Sequence, residues 1–169
     1  MQSSETLRPR SLWSRILPYL IGVSVPLAVG GLATLLSGGG KDFYETVALP
    51  SFAPPAPLFP IVWTVLYLLM GFSATRVLLR RERDPSSAQM GLIYAALSLY
   101  ANFIYTILFF RFRLFLVSFL LLLVLLTLII LTIVKYRHVS RAAARAQIPY
   151  AVWTTLATAL TLAIYHLNR

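Results

Sequence analysis

The sequence has 169 residues, 59% of them hydrophobic and only 12% charged, with a formal net charge of +10 and no cysteine. A soluble domain carries about 25% charged residues, so this chain cannot clothe a globular surface and lipid must cover much of it. The lack of cysteine excludes disulfides, thiolate metal sites and a cysteine nucleophile, and basic residues in short runs between apolar stretches indicate membrane loops, not a nucleic-acid-binding face.

Residues 1–15 read as a basic tail carrying Arg8, Arg10 and Arg15. Crossing the hydrocarbon core takes about 20 apolar residues per helix, and five segments qualify, at about 16–37, 58–79, 89–110, 114–134 and 148–166. The first is interrupted by Pro18, Gly22 and Pro26 and lacks a short core with a clear small-residue cleavage site. It therefore reads as a span and not as a cleavable signal peptide. Residues 38–57 form a proline-rich loop. Pro50, Pro54, Pro55, Pro57 and Pro60 cannot continue a helix, because proline lacks a backbone donor and fixes its φ. Pro60 is tolerated in the first turn of the second span, where its N–H would have been unsatisfied anyway. The fourth span is almost pure Leu, Ile, Val and Phe. The fifth is diluted by Thr154, Thr155, Thr158 and Thr161, whose hydroxyls can return to the preceding turn. The expected fold is an all-α integral membrane protein, one five-helix bundle over 16–166 with a short end at 167–169.

Orientation follows from Lys and Arg between the spans. Arg8, Arg10, Arg15, Arg76, Arg80, Arg81, Arg83, Lys135, Arg137, Arg141 and Arg145 fall on one side, against Lys41, Arg111, Arg113 and Arg169 on the other. The N-terminus is expected in the cytoplasm and the C-terminus outside, in a bacterial-type plasma membrane, with the proline loop facing outward.

No Asp, Glu, Lys or Arg lies mid-span, and Arg76 sits near the end of the second. Coupled transporters generally need an intramembrane ionisable residue, and acid–base hydrolysis needs paired carboxylates. His138 and His166 fall in or near interfacial segments, poorly placed as buried haem ligands. No metal site is expected. Helical spacing instead gathers aromatic and hydrogen-bonding groups. The stripes are Phe59, Trp63, Tyr67 and Met70 in the second span; Tyr94, Ser98, Asn102, Tyr105 and Phe109 in the third; and Tyr150, Trp153, Thr154, Ala157 and Thr161 in the fifth. Such stripes can be helix packing, with Trp and Tyr as interfacial anchors, and Tyr19 and Tyr136 are read that way. Asn102 is different. A buried amide without partners costs on the order of 2–7 kcal/mol, so it must bond a neighbouring helix, water or a ligand. An aromatic, uncharged pocket suits a flat, apolar molecule, and the stiff proline loop would close its mouth at little ordering cost.

Three blocks carry a resemblance. The first is Phe43-Tyr44, then Leu49-Pro50-Ser51-Phe52-Ala53-Pro54-Pro55, then Phe59, Trp63, Leu66 and Tyr67. The second runs from Asn102 through Tyr105 to Phe109-Phe110. The third is Pro149-Tyr150-Ala151-Val152-Trp153, then Ala157-Thr158-Ala159-Leu160, ending at Leu167-Asn168. Together they resemble the TspO/MBR family of tryptophan-rich sensory and translocator proteins. The resemblance implies a five-helix, often homodimeric membrane protein that binds porphyrins such as protoporphyrin IX or haem, and in some members sterols and benzodiazepine-type drugs. By matched position it implies Tyr44 and Pro54 in a lid, Trp63 and Trp153 flanking the ligand, and Asn102, Tyr105 and Ala157 completing the wall. Tyr67 and Tyr150 join them from the stripes. Phe43 and Tyr105 stand where the family commonly has tryptophan, and Thr161-Leu162 where Asn-Tyr is expected.

Three readings follow. The first is a receptor or carrier for tetrapyrroles, with a role in their regulation or in stress response. The second is a light- and oxygen-dependent porphyrin-degrading enzyme, with Trp63 and Trp153 as photochemical residues. The third is a small exporter of apolar compounds. Expected partners are membrane lipid, a porphyrin and a second copy of the chain, with no nucleic acid. Gly91 and Ala95 form a small-xxx-small pair compatible with dimerisation.

Overall fold

The computed structural model describes residues 12–38 and 41–169, so Arg8 and Arg10 of the orientation count lie outside the described residues. The helices are α1 (Leu12–Leu36), α2 (Lys41–Thr46), α3 (Leu58–Leu78), α4 (Pro85–Thr106), α5 (Phe115–Val139), α6 (Arg141–Ala146) and α7 (Ile148–Leu167). Five of the helical stretches are long and apolar enough to cross a membrane, and there is no strand among the described residues. The expected five-span, all-α bundle is what the chain forms.

Boundaries differ where capping outweighs hydropathy. The third span starts earlier than residue 89 because the Asp84 carboxylate accepts from the Ser87 N–H at 2.9 Å and Pro85 opens the helix. That bond also holds the Asp84 carboxyl below its ordinary pKa. After α5 the backbone of Ser140 is extended, and its hydroxyl caps α6 by accepting from the Ala143 N–H at 3.4 Å. Within the loop, residues 41–46 form α2, which hydropathy alone does not reveal. Pro26 is buried inside α1 and the helix continues past it, as happens in membranes when neighbouring groups satisfy the freed carbonyl.

The order around the bundle is α3–α1–α4–α5–α7, and α3 meets α7 through aromatic rings. Close crossings rest on glycine. A Cβ on Gly71 would collide with the Val23 Cα and come within 2.6 Å of the Gly22 carbonyl, so α1 and α3 touch backbone to backbone. A Cβ on Gly91 would lie 2.7 Å from Cδ1 of Tyr136. The small-xxx-small pair therefore begins with a glycine that seats α4 on α5 within one chain. Tyr136 itself is 0% exposed, in an apolar cluster with Val77, Ala88, Val139, Ala143 and Ala144. Of the packing-or-anchor reading, the packing part holds and the interfacial part does not: the glycine opposite makes a hole that the ring fills. Tyr19 is half-buried and stacks on Phe72 at 5.6 Å.

At the end of the bundle bearing α6, Gln147 Nε2 donates to Ser73 Oγ at 2.6 Å and Arg76 Nε to Ser140 Oγ at 3.2 Å. At the opposite end α4 widens into a π-helical turn, Ile107–Arg111. That turn lies next to the larger aromatic cluster.

Candidate functional site

The aromatic stripes converge on a cavity of about 320 Å³. Its walls are Gly30 and Thr34 of α1 with Ser37 just past its end; Phe43 of α2; Leu49, Ala53 and Ala56 of the proline segment; and Phe59, Pro60, Trp63 and Tyr67 of α3. Tyr105, Thr106, Phe109 and Phe110 at the end of α4, and Trp153, Ala157, Leu160 and Ile164 of α7, complete it. The volume is at the low end of the roughly 300–1,000 Å³ of small-molecule pockets.

Each ring is held by an identifiable partner. Phe59, Trp63 and Tyr67 share one face of α3 through the i, i+4 spacing. Trp63 tilts over Tyr67 at 5.4 Å and meets the Tyr150 ring edge-on at 6.2 Å, while Phe59 meets Trp153 edge-on at 5.5 Å. Gly30 gives Tyr67 its place, since a Cβ there would penetrate the Tyr67 ring. The Tyr67 hydroxyl then accepts from Asn102 Nδ2 at 3.1 Å. Tyr105 shares a hydrogen bond with Thr161 Oγ1 at 3.2 Å and stacks on Phe109 at 5.4 Å.

The segment between α1 and α3 and its flanks are fastened at several points. The Ala48 N–H donates to Asn168 Oδ1 at 2.9 Å, and Asn168 Nδ2 donates back to the Ala48 carbonyl at 2.9 Å. Arg113 Nη2 donates to Thr46 Oγ1 at 2.7 Å, and Arg111 Nη1 to the Leu36 carbonyl at 3.0 Å. Phe43 anchors α2 from below, 4.9 Å from the Phe109 ring and 5.0 Å from the Phe110 ring.

Of the residues singled out from the sequence, Trp63, Tyr67, Tyr105, Trp153 and Ala157 line the cavity. Asn102 stands behind Tyr67 as its hydrogen-bond partner, and Tyr150 is buried behind Trp63. Pro54 is half-buried in the lid, between the wall residues Ala53 and Ala56. Tyr44 lies on α2, but its side chain is outside the described residues. Sequence reasoning missed the α1 wall. The small residues Gly30, Thr34 and Ser37 recur at helical spacing, and that spacing was the available signal.

The chemistry on offer is mostly apolar contact. Trp153 Nε1, Tyr150 Oη and Asn102 Oδ1 are buried without a hydrogen-bond partner among the described residues. They are polar capacity that a bound molecule or water could use. Neither His138 nor His166 is among the wall residues, and no cluster of three metal-ligating side chains occurs among the described residues.

Comparison with known proteins agrees with this architecture. The model described as the TspO/MBR family matches residues 22–167. The chain is 32% identical over 140 residues to Protein CrtK of Rhodobacter capsulatus, covering 82% of this chain and 85% of that protein. It is 30% identical over 155 residues to the tryptophan-rich protein TspO of Chlorobaculum tepidum, covering 91% and 98%. A translocator protein homolog of Schizosaccharomyces pombe is 30% identical over 148 residues, covering 85% and 88%.

Proposed function

The chain belongs to the TspO/MBR family of multi-pass membrane proteins, and on that premise we propose that it is a receptor or carrier binding a porphyrin in the lidded cavity. The observation that carries this reading is the pair of indoles, Trp63 and Trp153, in the walls of one aromatic cavity roofed by the proline segment. Flat π-systems gain most from such walls, because offset and edge-on ring contacts add to the area they bury. The unpartnered Trp153 N–H, on a wall residue, offers a hydrogen bond to a ligand's polar edge. With no histidine on the wall, the side chains suit a metal-free porphyrin better than a haem held by axial histidine.

The cavity of about 320 Å³ is small for a macrocycle, so on this reading the proline segment would move to admit one. On the charge count the lid faces outward and the N-terminus lies in the cytoplasm. Tetrapyrrole regulation or stress response is the role such a carrier would serve, and a homodimer is its expected assembly.

The test is a titration of purified protein with protoporphyrin IX in the dark, followed by tryptophan fluorescence. Saturable quenching near one ligand per chain supports the reading, and quenching that never saturates means partition into detergent. A second prediction concerns the latch. Asn168→Ala removes two exposed bonds to the lid, together worth about 1 kcal/mol. The dissociation rate, measured by stopped flow, should rise about fivefold. An unchanged rate would mean that the ligand leaves by another route.

The same two indoles favour one further reading, light- and oxygen-dependent breakdown of the bound porphyrin. It requires product under illumination in oxygen, with turnover stopped by Trp63→Phe or Trp153→Phe while dark binding persists.

A further inference from the structure

On the other side of the Phe43 and Phe115 rings from the ligand cavity lies a second concavity, of about 480 Å³. Three separate segments build it: the end of α2, the turn entering α5, and the end of α7. Its polar half holds Arg113, Arg169, Asn168, Tyr165 and Thr46, and no acidic side chain lines it. Arg113 is the one non-glycine residue at positive φ among the described residues, at 53°, a conformation that L side chains adopt only at a cost. Its bond to Thr46 leaves most of its guanidinium donors unused. Arg169 donates to no group among the described residues. Two exposed guanidiniums with donors to spare face one hollow, where a single anion could accept from both.

The other half of the hollow is apolar. Leu116 and Val117 at the start of α5 are 44% and 48% exposed, and the exposed Leu120, Leu123 and Val124 continue that surface along the helix. A soluble anion gains nothing from such a shelf. An amphiphile gains from both halves, with its charge on the arginines and its chains along α5. We propose that this groove holds the phosphate headgroup of an anionic membrane phospholipid. A zwitterionic headgroup fits less well, because its own cation would sit beside two guanidiniums in a hollow lined by no acidic side chain. The bound phosphate would bridge the turn before α5 to the end of α7, beside the lid residue Thr46. It would therefore brace the same lid end that Asn168 latches. The proposal stands independently of what occupies the aromatic cavity.

Native mass spectrometry of the full chain in detergent tests it, with dioleoylphosphatidylglycerol, dioleoylphosphatidylcholine and inorganic phosphate titrated separately. The expected result is one phosphatidylglycerol retained per chain, bound at least tenfold more weakly by Arg169→Gln and more weakly still by Arg113→Gln with Arg169→Gln. Arg137→Gln, an exposed arginine at the far end of α5, should bind as wild type does. Equal retention of phosphatidylcholine, or unchanged binding in the arginine variants, would overturn the proposal. So would an Arg137→Gln loss as large as the others, which would mean diffuse attraction. Inorganic phosphate binding as tightly would identify a soluble anion instead of a lipid. If Arg113→Gln does not fold, Arg169→Gln decides alone, since it breaks no hydrogen bond.

Discussion

Trp63→Ala is expected to weaken dark protoporphyrin binding about 30-fold, the loss of roughly 2 kcal/mol typical of a central aromatic anchor. Trp63 is half-buried, at the centre of the α3 stripe, with one face toward the cavity and ring contacts to Tyr67 and Tyr150 behind it. Truncation removes the contact surface and leaves a void. A large buried aromatic can cost about 3–5 kcal/mol of stability when cut to alanine. The partial exposure of Trp63 lowers that figure, but folding must be checked by gel filtration and circular dichroism in the same preparation. Ligand absorbance is the appropriate readout, because the substitution removes one of only three tryptophans. Trp63→Phe, which keeps a ring, should lose only a few-fold. A folded Trp63→Ala protein that binds at wild-type affinity would remove the aromatic cavity as the porphyrin site.

Gly71→Ala should be the most damaging small substitution in the membrane domain. The added methyl meets the backbone of α1 at Gly22 and Val23, including the Val23 nitrogen at 2.8 Å. Backbone cannot swing aside as a side chain can, so the helices must part. Overpacking of this kind costs about 1–3 kcal/mol and occasionally more. Against it stands the helix-propensity gain of alanine over glycine, up to about 1 kcal/mol. The clash wins. The thermal midpoint in detergent should fall by roughly 5–10 °C for a loss of about 2–3 kcal/mol. Gly31→Ala is the matched control: nothing lies within 4 Å of its added methyl, so only the propensity gain remains and the midpoint should rise slightly. Equal midpoints for the two variants would mean that the α1–α3 crossing yields freely. Because Gly30 sits on the same helix and seats Tyr67, parting α1 from α3 should also lower ligand affinity.

The five spans, the proline boundary before α3 and the three aromatic stripes were legible in the sequence, because each depends on local length, on missing backbone donors or on the helical period. Membership of the family was legible for a related reason: its motifs are runs along single helices. Which neighbour each face meets was not legible. Period places Asn102 on a stripe, but only the bundle order gives it the Tyr67 hydroxyl. Tyr136 sits near a span end like an anchor, yet Gly91 on another helix opens the space that buries it. The α1 wall of the cavity was hidden because Gly30, Thr34 and Ser37 carry little hydropathy signal. Arg113 and Arg169 stand far apart in the chain and share a groove only once α5 and α7 have packed. Hydrophobic length and periodicity are properties of one segment, and a hydrogen-bond partner, a close crossing or a cavity is a property of two, so the sequence determined the helices and their faces while the tertiary structure decided what those faces enclose.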